Sequence, residues 1–369
     1  MTEARTYRIM ISGGGTGGHI YPAIAIANAW MEKHPGSEIL FVGAEGKMEM
    51  EKVPQAGYKI EGLKIAGLQR KLTLENLAFP FKVLASLQKA KKLVKDFNPD
   101  AVIGVGGYAS GPVLYAAQGK GIPTLIQEQN SYAGLTNKIL SKKANTICVA
   151  YPGMEKFFPQ RKITHTGNPV RKDILSLEGK KENGLENFGL EKGKPVILVL
   201  GGSLGARTIN QAVLGALQQF DDLGFQVLWQ CGQFYYEEMS KSIAGTKFKN
   251  VKVLAFLKEM DLAYAAADIV VSRAGALSVS ELSLVGKPVV FIPSPNVAED
   301  HQTKNALAYV SQRAALMLAD HVAVERLGDT VANLIADTAE ISLLGENIQK
   351  LAKPQAANAI VAEIEKLIK

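Results

Sequence analysis

The sequence predicts an α/β protein of two doubly wound domains that face each other across a ligand cleft. Short runs of β-branched and apolar residues alternate with longer amphipathic stretches, which is the pattern of parallel strands covered by helices. The pattern occurs twice, and each half opens with a strand that runs into a glycine-rich turn. The length of 369 residues is also sufficient for two domains of about 150 residues or more.

Each predicted strand is a short, mostly apolar run bounded by polar or glycine-containing segments. In the first half, strands are predicted at 7–12, 38–42, 101–104, 124–127 and 146–149. In the second half, they are predicted at 196–200, 226–230, 251–254, 269–272, 289–292 and 315–318. The amphipathic stretches between most of these runs predict helices on both faces of each sheet.

A polar, charged and glycine-containing segment, 176–195, indicates a surface connection or a short helix near a domain boundary. We place the change of domain slightly earlier, in the sequence TGNPVR at 166–171. The predicted domains are therefore 1–166 and 167–353, followed by an amphipathic helix over 354–369.

The composition is that of a folded protein with an apolar core. Apolar residues make up 47% and charged residues 21%, which excludes disordered, collagen-like and coiled-coil classes. No apolar run approaches the roughly 18 residues that span a bilayer, and the first residues do not resemble a signal peptide. Cys148 and Cys231 are far apart in strand-like runs, so we expect no disulfide framework, no zinc site and a reducing, cytoplasmic compartment.

Positive charge is concentrated in the first half of the chain. The net charge is +7 overall, +9 for residues 1–170 (21 basic minus 12 acidic) and −2 for residues 171–369 (21 minus 23). The segment 64–95 alone carries eight basic residues and one acidic residue. Such a face indicates an anionic partner or a merely solvated surface. We do not expect nucleic acid, because no zinc-finger, RNA-binding or basic-zipper signature accompanies the charge.

The first glycine-rich turn, GGGTGGH at 13–19, directly follows a predicted strand. Its glycines allow close approach of a ligand, and the following helix offers unpaired N–H groups, so the turn suits a phosphate or pyrophosphate. A tight turn without a ligand is the alternative. Gly13, Gly15 and Gly18 also fit the G-x-G-x-x-G fingerprint of nicotinamide and flavin enzymes, although the required acidic residue, Glu45, comes later than that fingerprint asks.

Two further glycine-rich turns, GVGGYASGP at 104–112 and GGSLGAR at 201–207, also follow predicted strands. A dinucleotide enzyme needs one such turn. Three turns, divided between two domains, favour group transfer between a nucleotide donor and a phosphorylated acceptor.

Several polar residues are candidates for catalysis or recognition. His19, at a phosphate-binding helix N-terminus, would stay neutral and suit a general base, although a lone histidine is often structural. The run QEQN at 127–130 follows a strand, where ligands bind in open α/β sheets, or is a polar loop. Glu281 could accept hydrogen bonds from a ribose diol or only complement the start of a helix. The cluster EDHQTKN at 299–305 could bind sugar hydroxyls.

Seven ordered motifs resemble the MurG-type glycosyltransferases. They are GGGTGGH, GGYASGP, QEQNSYAGLTNK, TGNPVR, GGSLGAR, SRAGALSVSEL and HQTKNA. The resemblance covers nearly the whole chain, with Gln127 standing where some relatives have His and one residue fewer near the last motif. It implies a GT-B fold of two Rossmann-like domains, with the acceptor on the first, UDP-N-acetylglucosamine (UDP-GlcNAc) mainly on the second, and the last helix returning to the first.

The reaction that the resemblance implies is transfer of GlcNAc, with inversion, to the 4-hydroxyl of N-acetylmuramic acid (MurNAc) on lipid I. The product is lipid II for peptidoglycan, and no metal or other cofactor is expected. His19 would be the general base, with Glu128 as the alternative. The donor would contact Thr16, Gly17, Gly18, Asn130, Arg171, Ser203, Leu257, Ala276, Leu277, Ser278, Val279, Ser280, Glu281 and Gln302. The acceptor pyrophosphate would lie against Gly14, Gly15, Gly104, Gly106 and Gly107.

Two apolar stripes at helical spacing lie in the segment 73–95. Val83, Leu87, Ala90 and Val94 form the stripe that suits packing on the sheet. Leu74, Leu77, Phe81 and Leu84 form the other, which lies beside lysines and suits docking on an anionic membrane unless it too is buried. We therefore expect peripheral association with the cytoplasmic face of the plasma membrane, where proteins of cell-wall synthesis are candidate partners.

Three other functions remain open at this point. They are a dinucleotide-dependent oxidoreductase, a non-catalytic nucleotide-sugar-binding module and, on the same fold, a UDP-GlcNAc 2-epimerase that needs no acceptor.

Overall fold

The structure, a computed structural model, describes residues 6–65, 79–202 and 204–368, without the side chains of 79–82 and 298. The chain divides into two compact units, Met1–Arg171 with Pro354–Lys369, and Lys172–Lys353. The division after Arg171 lies at the end of the TGNPVR sequence, five residues beyond the expected boundary at 166.

The first unit contains a parallel sheet covered by helices. Its strands are β1 (Arg8–Ser12), β2 (Glu38–Ala44), β3 (Lys59–Leu63), β4 (Ala101–Gly104), β5 (Thr124–Glu128), β6 (Thr146–Val149) and β7 (Ile163–His165). Its first helices are α1 (Gly17–Lys33), α2 (Glu49–Gln55), α3 (Phe79–Phe97), α4 (Ser110–Gly119) and α5 (Leu135–Ser141). The sheet order is β3-β2-β1-β4-β5-β6-β7, with every neighbouring pair parallel.

The second unit repeats this plan. Its strands are β8 (Val196–Leu200), β9 (Gln226–Gln230), β10 (Val251–Leu254), β11 (Ile269–Ser272), β12 (Val289–Phe291) and β13 (Leu316–Met317). Its helices are α6 (Lys181–Asn187), α7 (Arg207–Asp222), α8 (Tyr236–Ile243), α9 (Met260–Ala266), α10 (Ala276–Val285), α11 (His301–Val310), α12 (Ala323–Ala336) and α13 (Thr338–Lys350). The sheet order is β10-β9-β8-β11-β12-β13, again parallel throughout. A last helix, α14 (Ala356–Leu367), follows.

All the predicted strands are present, and their ends lie within two residues of the predicted positions. Two strands at sheet edges, β3 and β7, were not predicted. Strand β3 has the sequence KIEGL and β7 is three residues long, and neither forms an apolar run because part of each faces solvent. The polar segment 176–195 contains the short helix α6. In the described part of the chain, no helix is long and apolar enough to cross a membrane.

The strand order reverses at one point in each sheet, between β1 and β4 and between β8 and β11. At such switch points the connections leave toward opposite faces, and a crevice opens at the carboxyl ends of the strands. The turns GGGTGGH and GVGG follow β1 and β4, and GGSLGAR and SRAG follow β8 and β11. The glycine-rich turns therefore lie where open α/β sheets bind ligands.

The last helix, α14, belongs to the first unit although it follows the second in sequence. Ile360, Val361 and Ile364 are fully buried and share a core cluster with Trp30 of α1. At the edge of this contact, Glu365 accepts hydrogen bonds from Lys33 Nζ and from His34 Nε2, both at 2.8 Å.

Replacement of Glu365 by Gln is expected to loosen α14 slightly. The hydrogen bond from Lys33 lowers the pKa of the Glu365 carboxyl in the folded protein. The ion pair therefore stabilises the folded state above the unfolded pKa of about 4.3, and this stabilisation disappears as pH falls through the lower folded pKa. At pH 7 we expect the free energy for local opening of α14 to fall by roughly 0.2–1 kcal/mol, the range of exposed ion pairs. Hydrogen exchange of the α14 amides at pH 7 measures it.

Glu363→Gln is the matched control, because Glu363 pairs with Lys366 on the same helix. Equal acceleration of α14 hydrogen exchange by both variants would mean that the pairing of Glu365 with Lys33 does not stabilise α14.

Candidate active site

The turns after β1 and β4 lie against each other with no space for side chains. A Cβ atom on Gly13 would lie 2.2 Å from Cγ2 of Val105, and one on Gly107 would lie 2.4 Å from the carbonyl oxygen of Gly14. Gly106 and Gly107 also have φ values of +96° and +83°, which favour glycine. The two turns therefore form one compact backbone surface at the switch point.

The five glycines predicted to bind the acceptor pyrophosphate have different surroundings. A Cβ atom would meet Leu114 at 2.7 Å on Gly104, and a Glu49 carboxylate oxygen at 2.2 Å on Gly14. Only Gly15 among the five has nothing within 4 Å of its Cβ position. Its N–H group, however, already donates to Oε2 of Glu49 at 2.9 Å. Close packing therefore accounts for four of these glycines without a ligand.

His19 lies in the first turn of α1, directly over the β4 turn. Its Nδ1 atom is 3.1 Å from the carbonyl oxygen of Gly14 and 3.3 Å from Oγ1 of Thr16. Because a carbonyl only accepts, Nδ1 must carry the proton, and in the neutral ring the lone pair is then on Nε2. A Cβ atom on Gly106 would lie 2.8 Å from Nε2, so glycine at that position makes room for the imidazole.

Glu128, at the end of β5, is 2% exposed and organises the loop that follows it. Its carboxylate accepts hydrogen bonds from the N–H groups of Asn130 and Gly134, both at 3.1 Å, and from Nδ2 of Asn137 at 2.9 Å. Burial raises the pKa of this carboxyl, although the same hydrogen bonds oppose the rise. Both oxygens therefore have partners within the loop that carries Asn130.

Gln127, Glu128 and Gln129 of the QEQN run are buried, so this part of the run is not a solvated loop, whereas Asn130 is partly exposed. Gln127 Nε2 donates to Oδ1 of Asn168 at 2.8 Å, and Asn168 Nδ2 donates to the carbonyl of Gln129 at 3.0 Å. Gln129 Nε2 in turn donates to the carbonyl of Val105 at 2.6 Å. This network connects the QEQN and TGNPVR motifs to the turn after β4. Nearby, the Arg171 guanidinium lies 5.6 Å from the ring centre of Tyr21 on α1.

In the second unit, the turn after β8 packs on the turn after β9. Gly202 and Gly205 have φ values of +84° and +81°, and a Cβ atom on Gly205 would lie 2.2 Å from the carbonyl oxygen of Cys231. Gln230 Nε2 donates to the carbonyl of Gly202 at 3.0 Å. Ser203, predicted to contact the donor, lies outside the described residues.

Glu281 is 7% exposed, in the second turn of α10. The hydroxyl of Tyr264 donates to its Oε2 atom at 3.1 Å. Stabilisation by the helix dipole is confined to the first turn, so it does not explain a buried carboxylate at this position. Of the other predicted donor contacts, Leu257, Ala276 and Val279 are buried. Leu277, Ser278 and Ser280 are partly exposed.

Side chains from α11 and from the turn after β11 hold the neighbouring loops. Gln302 Oε1 accepts from the N–H of Ser294 at 2.9 Å. Arg273 donates to the carbonyl of Ile292 at 2.9 Å and pairs with Asp320. The predicted donor contact Gln302 thus supports the loop after β12. The predicted cluster at 299–305 spans the end of this loop and the start of α11.

Two family models match most of the chain: the glycosyltransferase family 28 N-terminal domain over residues 9–149 and the family 28 C-terminal domain over residues 196–361. The chain belongs to glycosyltransferase family 28. The first match covers the first sheet from β1 to β6, and the second covers the whole second sheet, so the predicted fold class of two Rossmann-like α/β domains is confirmed.

Curated relatives match this family 28 chain over nearly its full length. Relatives from Cytophaga hutchinsonii (57% identical, covering 100% of this chain and 99% of the relative) and Flavobacterium psychrophilum (56%, 98% of each) have the same name. That name is UDP-N-acetylglucosamine–N-acetylmuramyl-(pentapeptide) pyrophosphoryl-undecaprenol N-acetylglucosamine transferase. The resemblance to MurG-type glycosyltransferases is therefore confirmed.

Solved structures agree with this placement. The crystal structure of Acinetobacter baumannii MurG is 31% identical, covers 98% of this chain and 99% of its own, and gives a TM-score of 0.78. A UDP-GlcNAc 2-epimerase from Neisseria meningitidis, 16% identical with 97% and 100% coverage and a TM-score of 0.67, shares the fold alone.

Sequence reasoning missed Glu49, Arg273 and Asp320, which hold the turns in place. Arg273 lies in the SRAGALSVSEL motif, but no role was predicted for it. Glu49 is the first residue of α2 and is 1% exposed, a combination that only the tertiary structure reveals.

Proposed function

We propose that this chain transfers GlcNAc from UDP-GlcNAc to the 4-hydroxyl of MurNAc in lipid I, giving lipid II and UDP. The observation that carries the proposal is identity above one half, over nearly the whole length, to relatives named as this transferase. In the reaction, the acceptor oxygen bonds to the anomeric carbon of GlcNAc as the bond from that carbon to the UDP oxygen breaks. Attack opposite the departing UDP inverts the anomeric configuration.

His19 is the proposed general base, acting through Nε2. Its Nδ1–H is directed to the Gly14 carbonyl, which keeps the ring in the tautomer whose lone pair can accept the acceptor's proton. Glu128 is the weaker candidate, because the carboxylate is buried and accepts hydrogen bonds from its own loop. The geometry supports a role for Glu128 in presenting Asn130 to the sugar.

The acceptor pyrophosphate is assigned to the GGGTGGH turn and the start of α1, with the GVGG turn beside it. Thr16, at the N-cap, makes no side-chain capping hydrogen bond, so the N–H groups of Gly17 and Gly18 at the start of the helix suit an anion, whereas the His19 N–H donates to the Thr16 carbonyl at 3.1 Å. The partial positive charge of a helix N-terminus favours this position. Gly15, whose N–H already donates to Glu49, would leave space for the pyrophosphate because it has no side chain.

The donor is assigned mainly to the second unit. Glu281 would bind the ribose, the backbone of Leu257 the uracil, and Gln302 the sugar. The GGSLGAR turn with Ser203, together with Arg171, would stabilise the charge on the departing UDP. Residues 276–280 would line the nucleotide.

A dinucleotide-dependent oxidoreductase fits the first turn less well. In that class an acidic residue at the end of the second strand binds the ribose. Here Glu45 follows β2, and its carboxylate is paired with Lys89 at 3.3 Å.

Release of UDP from UDP-GlcNAc, measured with and without a soluble lipid I analogue, tests the proposed function. Acceptor-dependent UDP release with formation of a disaccharide product is the expected result. Acceptor-independent conversion of UDP-GlcNAc to its 2-epimer would indicate an epimerase. Binding of UDP without turnover would indicate a non-catalytic module, and affinity for a nicotinamide or flavin in place of UDP would indicate an oxidoreductase.

We further propose that the first unit docks on the cytoplasmic face of an anionic membrane. Leu74 and Leu77 lie outside the described residues, as does the Phe81 side chain, whereas Leu84 on α3 is 55% exposed. On the same helix Ala90 and Val94 are buried in the core, so one stripe packs on the sheet and Leu84 is not part of it.

The first unit carries further exposed apolar side chains on a nearby helix. Helix α3 packs beside α4, and α4 beside α5. On α5, Leu135 and Ile139 are 73% and 63% exposed, and Lys142 and Lys143 follow directly. Apolar side chains beside lysines suit the boundary between headgroups and acyl chains, where each basic residue adds about 1 kcal/mol of attraction.

Phe81→Ser combined with Leu84→Ser is expected to reduce sedimentation with phosphatidylglycerol vesicles while leaving UDP affinity unchanged. The apolar contact is lost, whereas the donor residues lie mainly in the second unit. Binding of the wild-type chain should also weaken as salt is raised. Leu223→Ser, which changes an exposed leucine of the second unit, is the matched control. Wild-type sedimentation of the double variant would place the docking surface elsewhere.

A further inference from the structure

The peptide group between Gly14 and Gly15 is held on both sides. Its N–H, which belongs to Gly15, donates to Oε2 of Glu49 at 2.9 Å. Its carbonyl, which belongs to Gly14, accepts from Nδ1 of His19 at 3.1 Å. Because a peptide unit is planar with N–H and C=O pointing in opposite directions, fixing the N–H also fixes the carbonyl. Glu49 and His19 are therefore connected through one peptide group.

Glu49 sits in a slot that the fold provides for its carboxylate. Oε1 accepts from the N–H of Ala44 at 3.0 Å, at the end of β2. A Cβ atom on Gly14 would lie 2.2 Å from Oε1, and one on Gly43 would lie 2.5 Å from Cγ of Glu49. Two glycines thus make room for a side chain that is 1% exposed, and two backbone N–H groups satisfy its two oxygens.

Among the residues that the structure describes, no cation pairs with Glu49, and a buried carboxylate in that situation is costly, so its place needs an explanation. Packing alone would be served by an apolar side chain. What a carboxylate provides here is two acceptors and no donor, which sets the direction of the Gly14–Gly15 peptide. Glycine on both sides of the peptide would otherwise permit the opposite orientation at little steric cost.

The opposite orientation would change the chemistry of His19. A flipped peptide would direct the Gly15 N–H toward Nδ1, which would then have to accept a hydrogen bond. The neutral ring would carry its proton on Nε2 and lose the lone pair that a general base needs at that atom.

We propose that Glu49 is a positioning residue that, through the Gly14–Gly15 peptide, holds His19 in the tautomer with the proton on Nδ1 and the lone pair on Nε2. This inference rests on the proposed function for its kinetic consequence, but the tautomer itself is measurable without turnover.

Glu49→Gln is the direct test, because it keeps the shape and replaces one acceptor with a donor. If the glutamine oxygen stays with Ala44, its NH₂ group faces the Gly14–Gly15 peptide and favours the flipped orientation. Long-range ¹⁵N–¹H spectra of histidine-labelled protein report which nitrogen is protonated, and the His19 signals are assigned by their loss in His19→Ala. The expected result is a proton on Nδ1 in the wild type and on Nε2 in the variant.

Kinetics provide the second readout. Glu49→Gln is expected to lower kcat by about 10–100-fold, by analogy with the range seen when the hydrogen-bond partner of a metal-ligating histidine is removed, with UDP affinity unchanged. In a His19→Ala background the same substitution should cost no more than about twofold, because the two residues act as one unit. Glu51→Gln, on the same helix but exposed and paired with Lys52, should behave as wild type.

Three outcomes would overturn the proposal. One is a wild-type His19 with its proton on Nε2, which decides the matter even if Glu49→Gln does not fold. Another is an unchanged tautomer in a folded Glu49→Gln. The third is an equal loss of kcat in the presence and absence of His19, which would make Glu49 merely structural. Absence of transferase activity in the wild type would instead refute the proposed function and leave the tautomer result standing.

Discussion

His19→Ala is expected to lower kcat by about 10²–10⁴-fold while leaving UDP affinity near the wild-type value. The range is that of a lost general base, since the imidazole alone would take the proton of the attacking hydroxyl. The residues proposed to bind the donor lie mainly in the other unit, so UDP should bind as before. Steady-state kinetics with a lipid I analogue and calorimetry with UDP measure the two quantities.

His165→Ala serves as the control, because His165 is an exposed histidine of the same unit that contacts the carbonyl of Ala150. A near-wild-type rate in His19→Ala, with an unshifted pH profile, would assign the base to Glu128 or to solvent.

Glu281→Ala is expected to weaken UDP binding by roughly 1.5–3 kcal/mol, the range for a hydrogen bond to a charged group. The Michaelis constant for UDP-GlcNAc should rise more than kcat falls, because a ribose contact exists in both the ground state and the transition state. Calorimetric titration with UDP and steady-state kinetics over a range of UDP-GlcNAc concentrations measure both effects.

Tyr264→Phe separates ligand binding from internal packing. It removes the hydroxyl that donates to Glu281 but keeps the carboxylate, so its effect on UDP should be the smaller of the two. Unchanged UDP affinity in a folded Glu281→Ala would give the carboxylate a structural role in place of a role in donor binding.

The parts of the fold that were predictable from the sequence are those set by local pattern. The central strands are buried on both faces and therefore read as continuous apolar runs, such as VILVL in β8. The turns at the switch points were predictable because glycines are concentrated there. Edge strands β3 and β7 lack this pattern, since part of each faces solvent.

The candidate site was predictable by motif but not by geometry. The residue types of the GGGTGGH turn indicate a ligand, yet the sequence does not reveal that Gly15 already donates to a buried carboxylate 34 positions later. Similarly, the sequence leaves QEQN open between a ligand-binding position and a polar loop, whereas the fold brings Asn137 and Asn168 to it as partners. Contacts between distant residues depend on tertiary packing, which periodicity and composition do not encode.

The discontinuous first unit has a consequence for synthesis on the ribosome. Its helix α14 is separated from Arg171 by the 182 residues of Lys172–Lys353. At about 5–20 residues per second, the nascent first unit waits roughly 10–40 s for the helix that covers Trp30 and its neighbours. During that interval an apolar face of α1 is open to chaperones and to other nascent chains. Messages truncated near codon 353 should therefore yield a first unit that aggregates even though every strand of its sheet has been translated.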